Sequence, residues 1–149
     1  MNDRGNRDNS EGENLPSYQE FILELLQAEI DSNSDIAVVY PMLAKRQHLL
    51  NARFAEILQQ VAKSLIADKD PEAIESILRN IENLSIDISQ FPRGKRANNI
   101  EIAITGYQIV LSNREPGSEK YAQTQNNLAI AYSDRIKGSR ADNLERAIG

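Results

Sequence analysis

The sequence has no cysteine and no tryptophan, and it has a single histidine, His48. Without cysteine there is no disulfide bond, no thiolate nucleophile and no cysteine-based metal site. A chain without disulfides suits a reducing compartment, and we expect a cytoplasmic protein. The chain also has neither the apolar segment of a signal peptide nor a run of about eighteen apolar residues, so we expect no membrane insertion.

Glycine, proline and aromatic residues are scarce as well. The 149 residues include seven glycines, five prolines, five tyrosines and three phenylalanines. Alanine, leucine, isoleucine, glutamate, glutamine and asparagine dominate, and most of these favour helix. Because 40% of the residues are apolar and 26% are charged, the composition is that of a folded globular protein. We therefore predict an all-α protein.

The net charge of −5 is unevenly distributed. Residues 1–92 carry eight basic and sixteen acidic side chains, whereas residues 93–149 carry nine basic and six acidic ones. The C-terminal part could therefore attract an acidic partner. Its excess of positive charge is nevertheless far below that of a dedicated nucleic-acid-binding domain.

No group of residues predicts catalysis or metal binding. His48 has no second histidine or cysteine to complete a zinc site. The segment "DSNSD" at 31–35 resembles the start of a calcium loop, but Ile36 and Met42 occupy the positions that need glycine and a bidentate glutamate. The carboxylates of Glu20 and Glu24 share a helix face with no sign of a pocket. We expect no cofactor and no enzymatic activity, and a hydrolase is the weakest alternative.

The chain divides into three segments. Residues 1–14 are almost entirely polar and are predicted to be a disordered tail. Residues 15–69 are predicted to form an N-terminal helical cap region, with a capping box at Ser17 and Glu20 and a kink or restart near Pro41. Residues 70–149 begin with Asp70 as a helix cap and Pro71 at the first helical position. This third segment contains an internal repeat.

The repeat has a period of 44 residues. "NLSIDISQFPRGKRANNIEIAI" at 83–104 aligns without gaps with "NLAIAYSDRIKGSRADNLERAI" at 127–148. Periods of about 20–50 residues are typical of stacked supersecondary units. We predict that each copy is a helix, a loop and a second helix, and that the second copy is truncated.

This unit resembles the tetratricopeptide repeat, which places a leucine and a small residue on its first helix and small and aromatic residues on its second. "FPRGKRANNIEIAITGYQIVL" and "TQNNLAIAYSDRIKGSRADNLERAIG" look like the repeats of bacterial tetratricopeptide proteins that often carry a caspase-like CHAT protease domain. The resemblance covers roughly residues 17–149. It implies antiparallel helical hairpins stacked as a short right-handed solenoid behind the cap region. We expect no protease domain here, because that family's cysteine nucleophile is missing.

The resemblance also implies a concave groove lined by the first helix of each unit, which would bind a peptide or a helical protein. Repeated asparagines could hydrogen-bond a peptide backbone or, equally, a neighbouring helix. The predicted groove residues are Arg79, Glu82, Asn83, Ile86, Ser89, Gln123, Asn126, Asn127, Ile130 and Ser133. The function predicted from this groove is that of a non-catalytic scaffold or adaptor.

Two further expectations concern the loops and the end of the repeat. Basic loops at 93–96 and 135–140 would align as a positive edge formed by Arg93, Arg96, Lys137 and Arg140, which suggests a regulatory binder of nucleic acid or of an acidic partner as the alternative function. The truncated second copy would leave an apolar face along Leu128, Tyr132, Ala147 and Ile148, so self-association is also expected.

Overall fold

The computed structural model describes residues 14–148 of the chain, and the side chains of residues 14–145. Within that range every regular element is helical, which confirms the predicted all-α class. The elements are α1 (Leu15–Ser32), α2 (Ile36–Lys45), a 3₁₀ turn (Gln47–Leu49), α3 (Ala52–Ile66), α4 (Pro71–Gln90), α5 (Arg96–Ser112) and α6 (Glu119–Ile148). The predicted disordered tail lies outside the described residues except for Asn14, which caps α1.

Helix α1 begins one turn earlier than the predicted capping box. The side chain of Asn14 accepts a hydrogen bond from the backbone N–H of Ser17 at 3.1 Å. Pro16 is accommodated in the first turn, where its missing N–H would have had no helical partner. Ser17 therefore lies inside the helix, and the prediction that it is the cap residue was wrong.

The predicted restart near Pro41 does not occur, since α2 continues through that residue, and the alternative of a kink there stays a prediction. Asp35 caps the helix by accepting a hydrogen bond from the N–H of Ala37 at 2.9 Å. Val39 and Leu43, on either side of Pro41, are fully buried. The packing of these side chains offsets the one backbone hydrogen bond that proline removes.

One apolar core joins the N-terminal helices to the first hairpin. It includes Tyr18 and Phe21 on α1, Phe54 on α3 and Val110 on α5. The rings of Phe21 and Phe54 meet edge to face with their centroids 5.9 Å apart. Helices α1, α2 and α3 therefore support the α4–α5 hairpin directly.

The first repeat copy forms the predicted hairpin. Helix α4 ends before Pro92, and the turn uses Gly94 at a positive φ of 78°. Asn99 then donates a hydrogen bond from Nδ2 to the Arg93 carbonyl oxygen at 2.9 Å. The two helices approach so closely that a Cβ atom added to Gly106 on α5 would lie 1.8 Å from Oγ of Ser85 on α4.

The second copy does not form a hairpin, contrary to the prediction. Residues 119–148 form the single helix α6, so the predicted loop at 135–140 and the separate helix after it are absent from the described residues. At the positions of Phe91 and Pro92 the second copy has Arg135 and Ile136. Arg135 has no aromatic ring to bury, and Ile136 has the backbone N–H that proline lacks. Gly138, the counterpart of Gly94, is accommodated within the helix. Without proline the helix continues, since each further residue adds a backbone hydrogen bond.

Candidate functional site

An arginine from the link between the two repeat copies joins α4 to α6. The side chain of Arg114 is only 5% exposed, and its guanidinium contacts two carboxylates of α4. It donates from Nη1 to Glu82 at 2.9 Å and from Nη2 to Glu75 at 2.9 Å. Lys120, at the start of α6, also donates to Glu75, at 3.3 Å. We call these residues, with Thr124 and Asn127, the Arg114 network.

The first half of α6 completes the Arg114 network. The Thr124 hydroxyl accepts a hydrogen bond from Arg114 at 2.8 Å and donates one to Glu82 at 2.6 Å. Asn127 donates from Nδ2 to the same carboxylate oxygen of Glu82 at 3.1 Å. Both oxygens of Glu82 are therefore hydrogen-bonded, which offsets the loss of water around this buried charge.

The electrostatics of Glu75 reflect the same contacts. Burial alone would raise the pKa of Glu75, but its hydrogen bonds with Arg114 and Lys120 and their positive charges hold the pKa below its usual value. The carboxylate is thus ionised at neutral pH and paired with two cations. The arrangement fixes the position of α6 on α4.

Two of the predicted groove residues, Glu82 and Asn127, belong to this network. Glu82 is 7% exposed, and the amide of Asn127 is directed at it. Of the two roles considered for the repeated asparagines, Asn127 therefore takes the structural one, a hydrogen bond to the neighbouring helix. Its counterpart Asn83 is half-buried.

We call the remaining predicted groove residues the inner face. Ile86 is half-buried and, like Leu128 and Tyr132 of α6, packs against a buried cluster that includes Tyr107 and Ala131. Ile130 lies three residues beyond Asn127 and is 55% exposed. The inner face comprises Arg79, Asn83, Ile86 and Ser89 on α4 and Gln123, Asn126, Ile130 and Ser133 on α6.

The predicted positive edge is only partly available. Arg96 forms an ion pair with Asp134 at 3.5 Å and also donates to the Ser89 carbonyl oxygen. Arg93, Lys137 and Arg140 are exposed, but Lys137 and Arg140 lie on α6 rather than in a second loop. The prediction of two aligned basic loops was therefore wrong, because only the first copy has a loop.

An open cleft of about 540 Å³ lies between α6 and the N-terminus of α5. Its ionic groups are largely paired with one another. Arg135 donates two hydrogen bonds to Glu101, at 2.7 and 2.8 Å, in a bidentate pair. This pairing reduces the charge that the cleft presents to a phosphate or to an acidic chain.

A second exposed surface lies on α6. On α4, the helix at the equivalent place in the first copy, α5 covers the corresponding side. Ser85 of α4 is 1% exposed because α5 covers it, whereas its counterpart Ala129 on α6 is exposed. Further along α6, Ile136 is 53% exposed and Leu144 is 62% exposed. We call this surface the outer face of α6, and its members at helical spacing are Ala122, Gln125, Ala129, Ile136 and Leu144.

Sequence reasoning missed the central member of the site. Arg114 lies in the segment "REPGS", which reads as a linker, and its partners Glu75 and Glu82 are 39 and 32 residues away. In the sequence, Glu75 and Arg79 are four residues apart, a spacing that favours an ion pair on one helix. In the structure, Glu75 contacts Arg114 and Lys120. The one available signal is the change in charge between the two halves of the chain, which favours contacts between them.

No group of three or more metal-ligating side chains occurs among the described residues. In the same part of the chain, no helix is both long and apolar enough to cross a bilayer. No protein-family model matches the chain, and no significant match was found among curated proteins or solved structures. The likeness to tetratricopeptide repeats therefore depends on the residues described above, and what it implies for function is a proposal.

Proposed function

We propose that the chain is a non-catalytic interaction module that binds a peptide or a helical protein on its inner face. The observation that carries this proposal is the position of Ile130. Its large apolar side chain is 55% exposed, and Asn127, one turn before it on the same helix, is held by Glu82. An exposed apolar residue on a fixed support is suited to be the anchor of an interface.

The chemistry of the inner face fits an extended or helical peptide. The amides of Asn83 and Asn126 both donate and accept, as a peptide backbone requires. Arg79 is exposed and can pair with a carboxylate of the ligand. Because the Arg114 network already orders α4 against α6, little conformational entropy is lost when a ligand binds.

Affinity capture with matched variants tests the inner face. Immobilised wild-type protein is compared with Ile130→Asp, with Asn83→Ala, and with Leu23→Asp as the control. Leu23 is 45% exposed on α1, so the control places the same new charge on an exposed site of another helix. We expect partners that wild type and Leu23→Asp retain to be lost with Ile130→Asp and weakened with Asn83→Ala. Retention of every partner by Ile130→Asp would contradict the proposal.

We also propose that the outer face of α6 supports self-association. What favours it is the close packing of Ser85 against Gly106 in the first copy, where a whole helix covers the equivalent surface. In the second copy, Ala129 offers a similarly small side chain and no helix covers it. Small residues let two helices approach closely, and the exposed Ile136 and Leu144 would add apolar contact area.

Sedimentation over a wide range of concentrations tests this second proposal. We expect a dimer whose fraction rises with concentration and falls strongly in Ala129→Glu. Ala52→Glu, which adds the same charge to the exposed first residue of α3, should dimerise like wild type. A monomer at all concentrations, or equal dimerisation by Ala129→Glu, would refute self-association through this face.

A further inference from the structure

Two carboxyl groups are buried where α1 meets α4. Glu29, near the end of α1, is 1% exposed, and Asp87, near the end of α4, is 7% exposed. Three of their four oxygens, both of Glu29 and Oδ2 of Asp87, are buried without a hydrogen-bond donor. The two carboxyl groups lie close enough for each to affect the pKa of the other. A hydrogen bond between them needs a proton on one of the two groups, since a carboxylate has none to donate.

The helix ends increase the preference for a proton. Glu29 and Asp87 each lie within the last turn of a helix, where the partial negative charge of the backbone carbonyls disfavours a carboxylate. Neither helix has a basic residue in its last turn. Among the described residues, no ion pair is formed by either group. An ionised pair would therefore leave two like charges buried together with no cation to offset them.

The neighbouring polar groups supply no compensating charge. From α2, Tyr40 lies close enough to Asp87 for the carboxylate to contribute, after burial, to a raised pKa of the Tyr40 phenol. From α5, Tyr107 is affected by both Asp87 and Glu82, and burial first of all raises its pKa to about 12. Ser34, in the turn after α1, forms no hydrogen bond with Glu29, but it lies near enough for its hydroxyl to favour the ionised form and to lower the pKa of Glu29. Both phenols are neutral at physiological pH.

We propose that Glu29 and Asp87 share one proton, and that this carboxyl–carboxylate pair is a pH-sensitive latch that holds α1 against α4. The latch is independent of the proposed binding function. It joins the N-terminal helices to the helix that carries half of the inner face. When the proton is lost, two like charges remain in contact and the helices are pushed apart.

The pH range follows from the ordinary and shifted values. Burial, followed by the hydrogen bond to Asp87, raises the pKa of Glu29 from 4.5 to about 8. Burial also raises the pKa of Asp87. In the unfolded chain Glu29 ionises at its ordinary pKa, so between the two values the folded protein binds a proton that the unfolded chain does not. The folded state is therefore favoured at the acid end of this range and loses stability as pH rises to about 8, above which the effect levels off.

The test combines carboxyl NMR with urea unfolding on the full chain. In wild type, the side-chain carboxyl ¹³C signal of Glu29 should titrate near 8 rather than at its ordinary 4.5. The unfolding equilibrium constant should rise by up to about tenfold per pH unit between about pH 5.5 and 7.5. Glu29→Gln should remove this rise, because its amide donates to Asp87 at every pH. Glu20→Gln, an exposed carboxylate on the same helix, should behave like wild type.

Three results would overturn the latch. The first is a Glu29 signal that titrates in the ordinary carboxyl range, which remains measurable in wild type even if Glu29→Gln fails to fold. The second is an equal pH dependence of unfolding in wild type and Glu29→Gln. The third is stabilisation of wild type, but not of Glu29→Gln, by millimolar Ca²⁺ or Mg²⁺ at alkaline pH, which would show that the pair binds a cation instead of a proton.

Discussion

The guanidinium of Arg114 lies 2.9 Å from a carboxylate oxygen of Glu82, and both side chains are at least nine-tenths buried. Arg114 belongs to the link between the repeat copies, and Glu82 belongs to the middle of α4. Thr124 and Asn127 of α6 contact the same carboxylate. A single buried charge thus connects three parts of the chain, and the position of the inner face depends on it.

Arg114→Leu should lower the free energy of unfolding by about 3 kcal/mol, because Glu82 would be left buried without its cation. Lys120→Leu is the matched control. Lys120 is 55% exposed and contacts the same network through Glu75, so its loss should change stability by less than about 1 kcal/mol. Urea unfolding of both variants makes the comparison. Equal stabilities of Arg114→Leu and wild type would show that the Arg114 network does not hold α6 in place.

Alanine substitutions at two helical glycines should have opposite effects. Gly106→Ala places a Cβ atom against Ser85 and should destabilise the protein by about 1–3 kcal/mol through overpacking. Gly138→Ala meets nothing within 4 Å and lies inside α6, so it should strengthen the helix by about 0.5–1 kcal/mol. Thermal unfolding followed by circular dichroism measures both. Adding Ser85→Gly to Gly106→Ala should restore stability, and its failure to do so would contradict the close approach of α4 and α5.

Glu75 predicts a pH dependence of the opposite sign to that of the buried pair. Its pKa is lowered in the folded protein, so its contribution to stability is present above the ordinary carboxyl range and is lost as pH falls through the folded value. Because the side chain is 30% exposed, the contribution should be below about 1 kcal/mol. Glu75→Gln should therefore be less stable than wild type near about pH 7, and the difference should shrink as pH falls below the ordinary carboxyl range. A difference that stays constant over this range would rule out an ionic role for Glu75.

Local signals in the sequence predicted much of the fold, and single residues decided where the prediction failed. Asp70 and Pro71 marked the start of α4, and the N–H of Ala73 does donate to Asp70 at 2.8 Å. The prediction of a second hairpin failed because the copies agree at many positions but differ at the position that ends the helix, where the second copy has Ile136 in place of Pro92. Similarity along a repeat does not reveal which position controls a turn.

The polar contacts between helices could not be predicted from the sequence, for a different reason. The pair formed by Glu29 and Asp87 joins residues 58 positions apart that look like ordinary surface carboxylates in the sequence. Their burial results from how α1 is placed on α4, and that placement is set by the apolar core. The residues of the inner face follow from the resemblance to tetratricopeptide repeats, and their role in binding stays a prediction.

The central structural claim is that the second repeat copy is one continuous helix, which leaves the α6 residues of the inner face and the outer face of α6 uncovered. The chain has no cysteine, so Gln125→Cys with Glu145→Cys gives a unique pair of spin-label sites on exposed positions. Ile136→Pro in the same background, which copies the break of the first repeat, is the control that should shorten and broaden the distance. Pulsed dipolar spectroscopy should give about 30 Å for twenty residues of unbroken helix. A distance below about 20 Å, as in a closed hairpin, would contradict the account.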